Sequence, residues 1–105
     1  MGGIVPLHDR SLNANRAIQR MRRHLKDGTV SWAIGARTKL LARRLDMLDV
    51  VSAIKYGRVI DRKRPLDLWR YTVEGPSVDD RNIWLIVEIG NHMIIITAYP
   101  RRPRR

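Results

Sequence analysis

The stretch that decides the fold is residues 82–99, NIWLIVEIGNHMIIITAY. Two segments rich in isoleucine and valine flank Gly90-Asn91, a dipeptide that favours a two-residue hairpin turn. The sequence therefore predicts two antiparallel strands, residues 82–89 and 92–99. A two-residue loop pairs Ile89 with His92, and the alternation of side chains then extends this register along both strands.

The predicted register gives the hairpin two different faces. One face is aliphatic and pairs Val87 with Ile94, Leu85 with Ile96 and Ile83 with Ala98. The other face pairs Glu88 with Met93, Ile86 with Ile95, Trp84 with Thr97 and Asn82 with Tyr99, so it becomes aromatic and polar toward the open end of the hairpin. We therefore expect helices on the aliphatic face, the two strands near the centre of a sheet, and a functional site at the open end.

Two further strands are predicted before the hairpin, at residues 58–62 and 68–73, because apolar and polar residues alternate there. A loop is predicted at residues 74–81, which contain Gly75, Pro76 and two aspartates.

The first half of the chain has helical spacing of its apolar residues. One helix is predicted from Ser11 to Lys26, capped by Ser11 and ended by Gly28. Residues 36–45 form a second, and Asp46 with Asp49 indicates a capped start for a third that ends at Gly57. Residues 29–34 are predicted to be extended. The predicted fold is α+β, with two or three N-terminal helices packed on a twisted, mainly antiparallel sheet.

The length of 105 residues predicts one domain. We assign residues 1–10 to a flexible N-terminus, residues 11–100 to the domain and residues 101–105, which include Arg101 and Arg102, to a basic tail. The tail is either a phosphate tether or a solubilising end.

Charge points to the class of partner. The chain has 21 lysines and arginines against 10 acidic residues, a net charge of +11, which favours a polyanion such as nucleic acid. No long apolar span and no signal-peptide pattern are present, so we expect no membrane partner and a cytoplasmic location. The absence of cysteine agrees with that location and excludes disulfides and thiolate metal sites.

No residue pattern indicates a metal or another cofactor. His8, His24 and His92 are scattered along the chain, apart from a weak His24–Asp27 pair, and no glycine-rich phosphate loop is present. Glu88 is either a general base or, more often for such residues, an ion-paired structural carboxylate.

The predicted sheet carries a set of arginines and tyrosines. Such a set can cleave RNA without metal, because the 2′-hydroxyl of RNA is the nucleophile. The protein then has only to hold the phosphate, stabilise its charge and move protons. Candidate catalytic residues are Arg62, Arg70, Tyr71 and Tyr99, and candidate RNA-binding residues are Arg58, Arg64, Trp84, Arg101 and Arg102. Either tyrosine is alternatively only a packing residue.

Several short motifs carry a resemblance to a known family: residues 17–30, residues 49–54, Leu68-Trp69-Arg70, residues 83–87 and residues 93–99. Over residues 12–100 the chain resembles MqsR-type toxins and related small bacterial domains of the RelE superfamily. The resemblance implies a RelE-like fold and the toxin of a type II toxin–antitoxin system, an endoribonuclease that cleaves mRNA and is neutralised by a cognate antitoxin protein.

The active residues of MqsR-type toxins correspond here to Arg58 or Arg62, Arg70, Trp84 and Tyr99, so this chain departs from the family pattern at each position while keeping cationic and aromatic character.

The alternative function is a non-catalytic nucleic-acid-binding module or a degenerate toxin. A third possibility is that the basic face of the first helix serves only an acidic protein partner.

Overall fold

The computed structural model describes residues 12–101, which form three helices and one five-stranded sheet. The elements in chain order are α1 (Ala14–Asp27), β1 (Val30–Trp32), α2 (Ala36–Ala42), α3 (Met47–Tyr56), β2 (Arg58–Lys63), β3 (Trp69–Pro76), β4 (Asn82–Ile89) and β5 (Met93–Pro100). The predicted α+β fold is confirmed. The segments assigned to the N-terminus, residues 1–10, and to most of the tail, residues 102–105, lie outside the described residues.

The strands are ordered β1-β5-β4-β3-β2 across the sheet. β1 pairs with β5 in parallel, and the other neighbours pair antiparallel, so the sheet is mainly antiparallel as predicted. β4 lies in the middle and β5 beside it, which confirms that the strands apolar on both faces are central.

The core lies on one face of the sheet, where the helices pack. Alternate residues of β3, β4 and β5 turn to this face and are fully buried together with residues of all three helices. They include Val73, Leu85, Val87, Met93 and Ile95 from the strands, and Met21, Leu40, Val50 and Ile54 from the helices. Because the side chains of a strand alternate, the intervening residues point to the other face.

That other face, which we call the open face, is only half-buried. It carries Arg70, Thr72 and Glu74 from β3, and Trp84, Ile86 and Glu88 from β4. Thr97 and Tyr99 of β5 continue it. No described helix packs on the open face, so its polar and aromatic groups are available to a ligand.

The predicted register of the hairpin is wrong. The loop has three residues, Gly90 to His92, and the Gly90 N–H donates to the carbonyl of His92 at 3.0 Å. Ile89 therefore pairs with Met93 instead of His92. A bulge at Ile96 shifts the register once more, so Ala98 pairs with Leu85 and remains in the core.

The helix ends agree with the sequence only in part. Asn13 caps α1 by accepting from the N–H of Arg16 at 2.9 Å, whereas Ser11, the predicted cap, lies outside the described residues. Gly28 ends α1 with a left-handed backbone as predicted, and both hydrogen bonds of the capping box at Asp46 and Asp49 are present.

Two predicted boundaries are wrong. α2 ends at Ala42 instead of residue 45, because Arg44 takes a left-handed conformation at φ 57°. β3 continues to Pro76, so Glu74 and Gly75 belong to a strand and not to the predicted loop.

Candidate functional site

Four of the predicted site residues meet on or beside the open face, at the open end of the hairpin: Arg58, Trp84, Tyr99 and Arg101. Trp84 lies between β3 and β5, where it pairs with Glu74 on one side and Tyr99 on the other. The three-residue loop and the bulge in β5 each shift the register by one position and together produce the second pairing, since the predicted register placed Tyr99 opposite Asn82.

An arginine and two aromatic rings are in contact there. The ring centroids of Trp84 and Tyr99 are 6.1 Å apart at an interplanar angle of 54°. The guanidinium carbon of Arg101 lies 4.0 Å from the centroid of the Trp84 ring, within cation–π distance. The guanidinium is held beside an aromatic surface of the kind on which nucleobases stack.

Glu74 is a member of this group that the sequence analysis missed, because it was assigned to a loop. Its carboxylate accepts from the Trp84 indole N–H at 2.8 Å, and its other oxygen lies 3.8 Å from an Arg58 guanidinium nitrogen. The Arg58 side chain is 79% exposed, so this ion pair is a weak one. Both contacts orient the carboxylate on the open face.

Arg43 is the second residue missed. Its guanidinium donates to the Thr97 hydroxyl at 3.0 Å and to the Ala98 carbonyl at 2.9 Å, and its carbon lies 6.0 Å from the centroid of the Tyr99 ring. Arg43 follows α2 in sequence and reaches β5 only through tertiary packing, which gave no sequence signal. We call Arg43, Arg58, Glu74, Trp84, Tyr99 and Arg101 the open-end cluster; it combines three cations, two aromatic rings and one carboxylate.

The turn that carries Arg43 is braced by Arg81. The Arg81 guanidinium donates to the carbonyls of Arg43 and Arg44 at 3.1 and 2.7 Å. It also donates to the carboxylate of Asp79 at 2.9 Å. Hydrogen bonds from the Ser77 hydroxyl and then from Arg81 lower the pKa of Asp79, so this brace is charged at neutral pH.

A cavity of about 340 Å³ adjoins the cluster at the ends of β2 and β3. Its lining includes Arg58 and Glu74 from the cluster, together with Tyr56, Asp80 and Asn82. The volume lies within the usual range of small-ligand pockets. The cavity therefore provides space beside the Arg58–Glu74 pair of the cluster.

Two predicted catalytic residues lie on the helix side of the sheet. Tyr71 is 1% exposed, and its hydroxyl accepts from the N–H of Leu12 at 2.7 Å. Arg62 pairs with Tyr71 across the strands and donates to the Leu12 carbonyl at 3.1 Å. Tyr71 therefore has the packing role that the sequence analysis left open, and neither residue is near the open-end cluster.

Arg70 lies on the open face but at the opposite end of the strands. It donates to Glu88 at 2.8 Å, so Glu88 is the ion-paired carboxylate that the sequence favoured over a general base. Arg70 lies four residues along β3 from Glu74, the residue that pairs with Trp84, which is a distance of roughly 13 Å. Arg64 lies between β2 and β3 and donates to the Asp67 carbonyl at 3.2 Å, and Arg102 lies outside the described residues.

Residues 12–101 contain neither a candidate metal site nor a candidate membrane-spanning helix. These residues contain no group of three histidine, aspartate or glutamate side chains that could hold a metal ion. None of the three helices described has the length and apolar content needed to cross a membrane.

Comparison with known proteins assigns a family. The model of a domain of unknown function, DUF4258, matches residues 36–100, which is more than half of the chain. The chain belongs to the DUF4258 family. The DUF4258 region begins at α2 and includes every member of the open-end cluster except Arg101. Neither a curated protein nor a solved structure matches the chain.

Proposed function

We propose that this protein binds RNA at the open-end cluster and cleaves it as a metal-independent endoribonuclease, the toxin of a toxin–antitoxin pair that acts on cytoplasmic mRNA. The observation that carries the proposal is the contact of Trp84 with both Arg101 and Tyr99, beside the carboxylate of Glu74. Cations that grip a phosphate, rings that stack on a base and a proton acceptor are what RNA cleavage requires. The resemblance to MqsR-type toxins supports the same assignment.

In this mechanism a base stacks on Trp84 while Arg43, Arg58 and Arg101 neutralise the phosphate. The Glu74 carboxylate takes the proton of the 2′-hydroxyl, whose oxygen attacks the phosphorus. The bond to the 5′-oxygen breaks, and that oxygen takes a proton from the Tyr99 hydroxyl. The products are a 2′,3′-cyclic phosphate and a free 5′-hydroxyl, and proton transfer through water from Glu74 to Tyr99 restores the starting state.

The test is incubation of the purified protein with a labelled RNA oligonucleotide in excess EDTA, followed by analysis of the product ends. We expect cyclic phosphate ends from the unaltered protein. Glu74→Gln and Tyr99→Phe should each slow cleavage by about 10² to 10⁴-fold, because each removes one proton-transfer group. Trp84→Ala should weaken RNA binding by about tenfold or more, because it removes the stacking surface.

Matched controls are Tyr71→Phe and Glu88→Gln, which make the same chemical changes outside the cluster. Tyr71→Phe should lower the free energy of unfolding by about 1 kcal/mol, since a hydrogen bond to Leu12 is lost, without slowing cleavage. Cleavage that is slowed as much by the controls as by the cluster variants would show that the assigned residues are wrong.

A second candidate function is non-catalytic RNA binding by the same cluster. The observation that favours it is that Glu74 is already engaged by Trp84 and Arg58, so the carboxylate also serves to brace the stacking surface. This function predicts RNA binding that Trp84→Ala weakens, with no cyclic phosphate product at any enzyme concentration. If Trp84→Ala binds and cleaves RNA as well as the unaltered protein does, both functions are contradicted.

A further inference from the structure

A second cationic surface lies on the opposite side of the molecule. It is a cleft of about 720 Å³ between α1 and the loop of the β4–β5 hairpin. Three arginines of α1, Arg16, Arg20 and Arg23, follow one another along its wall at helical spacing. The rest of the lining is Leu12, Gln19, His24, Asp27, Thr29 and Asn91.

Two of the three arginines in the cleft have no ion-pair partner among the described residues. Arg23 pairs with Asp27 at 3.2 Å, but Arg16 and Arg20 form no side-chain ion pair with a residue of 12–101. His24 is only 6% exposed; its Nδ1 lies 2.6 Å from the Thr29 hydroxyl, while its Nε2 has no hydrogen-bond partner. A buried polar atom without a partner is unfavourable, so a ligand that pairs with it gains free energy.

We propose that this cleft binds an acidic segment of a protein partner, whose carboxylates pair with Arg16 and Arg20 and reach His24. Among the described residues, the lining contains no tryptophan or tyrosine, and the His24 ring is buried, so a base has no exposed ring to stack on, in contrast to the open-end cluster; this favours carboxylates over RNA. Gln19, Thr29 and Asn91 offer hydrogen bonds to a peptide backbone. The inference stands whether or not the protein cleaves RNA, because the cleft and the open-end cluster are separate surfaces.

The test measures the affinity of the full chain for a fluorescent deca-glutamate peptide and for a labelled RNA oligonucleotide. The double variant Arg16→Gln/Arg20→Gln should weaken peptide binding by about tenfold or more, the loss of two charge-assisted contacts, while RNA affinity stays within about twofold. The matched control, Arg58→Gln/Arg101→Gln, removes the same charge from the other surface. It should show the reverse pattern.

The pH dependence of peptide binding distinguishes a specific contact with His24 from general attraction between charges. Burial holds the pKa of His24 below 6.5 in the free protein, whereas carboxylates beside His24 favour its protonated form, so peptide binding should strengthen as the pH falls through about 6.5, and His24→Gln should abolish this change. The other charged groups near His24 are Arg20, Asp27 and His92, so His92→Gln is the control that keeps the pH dependence.

Two outcomes would overturn the proposal. Equal loss of peptide affinity in the two double variants would mean that net charge, and not the cleft, holds the peptide. Loss of RNA affinity in Arg16→Gln/Arg20→Gln, with peptide affinity unchanged, would identify the occupant as nucleic acid. Circular dichroism of each variant establishes that the helices are intact.

Discussion

His24 shows at the residue scale how burial changes acid–base behaviour. Burial, followed by the charges of Arg20 and His92, lowers the pKa of His24 below its usual value of 6.5. The unfolded chain therefore takes up a proton at a higher pH than the folded chain does. The stabilising contribution is present above pH 6.5 and is lost as the pH falls through the folded pKa.

We accordingly predict that the free energy of unfolding declines more steeply below pH 6.5 in the unaltered protein than in His24→Gln. The extra slope is at most about 1.4 kcal/mol per pH unit, the value for one proton. Urea denaturation between about pH 7 and pH 5 measures it, with His92→Gln as the control. Parallel curves for His24→Gln and the unaltered protein would mean that His24 titrates alike in both states.

The two tyrosines of the sheet show that the sequence gives the type of a site residue but not the face of the sheet on which it lies. Tyr71 and Tyr99 both lie in strands with alternating side chains, and a strand pattern does not say which face receives the helices at each position. The structure places the Tyr71 hydroxyl against Leu12 and the Tyr99 ring beside Trp84. Sequence therefore identified the residue types of the candidate site, and tertiary structure selected between them.

At the scale of elements, local patterns predicted most strands and helices, and long-range contacts account for the errors. Period-2 alternation predicts β4 and β5, and the capping box predicts the start of α3, because both signals lie within a few residues. The parallel pairing of β1 with β5 joins residues more than 60 positions apart, and the bulge at Ile96 depends on how β5 packs. The three-residue hairpin loop and this bulge together bring Tyr99 opposite Trp84, so the site could not be assembled from the sequence alone.

The packing of α3 on β3 gives a prediction at the same scale. α3 approaches β3 so closely that a Cβ on Gly75 would lie 2.5 Å from the carbonyl oxygen of Ala53 and 2.9 Å from its Cα. These are backbone atoms, so they can move only with the whole helix. Gly75→Ala should therefore lower the free energy of unfolding by about 2 to 3 kcal/mol.

Gly28→Ala is the matched control for this substitution. Gly28 has a positive φ of 73° but no atom within contact distance of an added Cβ, so alanine there costs only backbone strain of about 1 kcal/mol. Urea denaturation measures both variants. Equal losses would mean that α3 and β3 separate easily and that the close approach contributes little to stability.

At the scale of the whole molecule, the distribution of charge matters more than its total. The chain carries a net charge of +11, but many arginines are engaged in structural contacts: Arg22 with carbonyls of α3, Arg70 with Glu88 and Arg81 with the turn after α2. Among residues 12–101, two separate groups of cations border candidate ligand surfaces, one in the open-end cluster and one in the cleft beside α1. RNA is either attracted by the net charge of the whole surface or bound at the open-end cluster. These two models predict different effects of arginine substitutions on the salt dependence of RNA affinity.

The dependence of RNA affinity on salt distinguishes the two models. Each cation that neutralises a phosphate of single-stranded RNA contributes about 0.7 to the slope of log affinity against log salt concentration. If Arg58 and Arg101 both contact phosphates, Arg58→Gln/Arg101→Gln reduces the magnitude of the slope by about 1.4, whereas Arg16→Gln/Arg20→Gln, with the same change of charge, leaves it unaltered. Fluorescence anisotropy between about 50 and 200 mM salt measures both slopes. Equal reductions in the two variants would show that RNA binds the basic surface without preference, and the open-end cluster would then not be the RNA site.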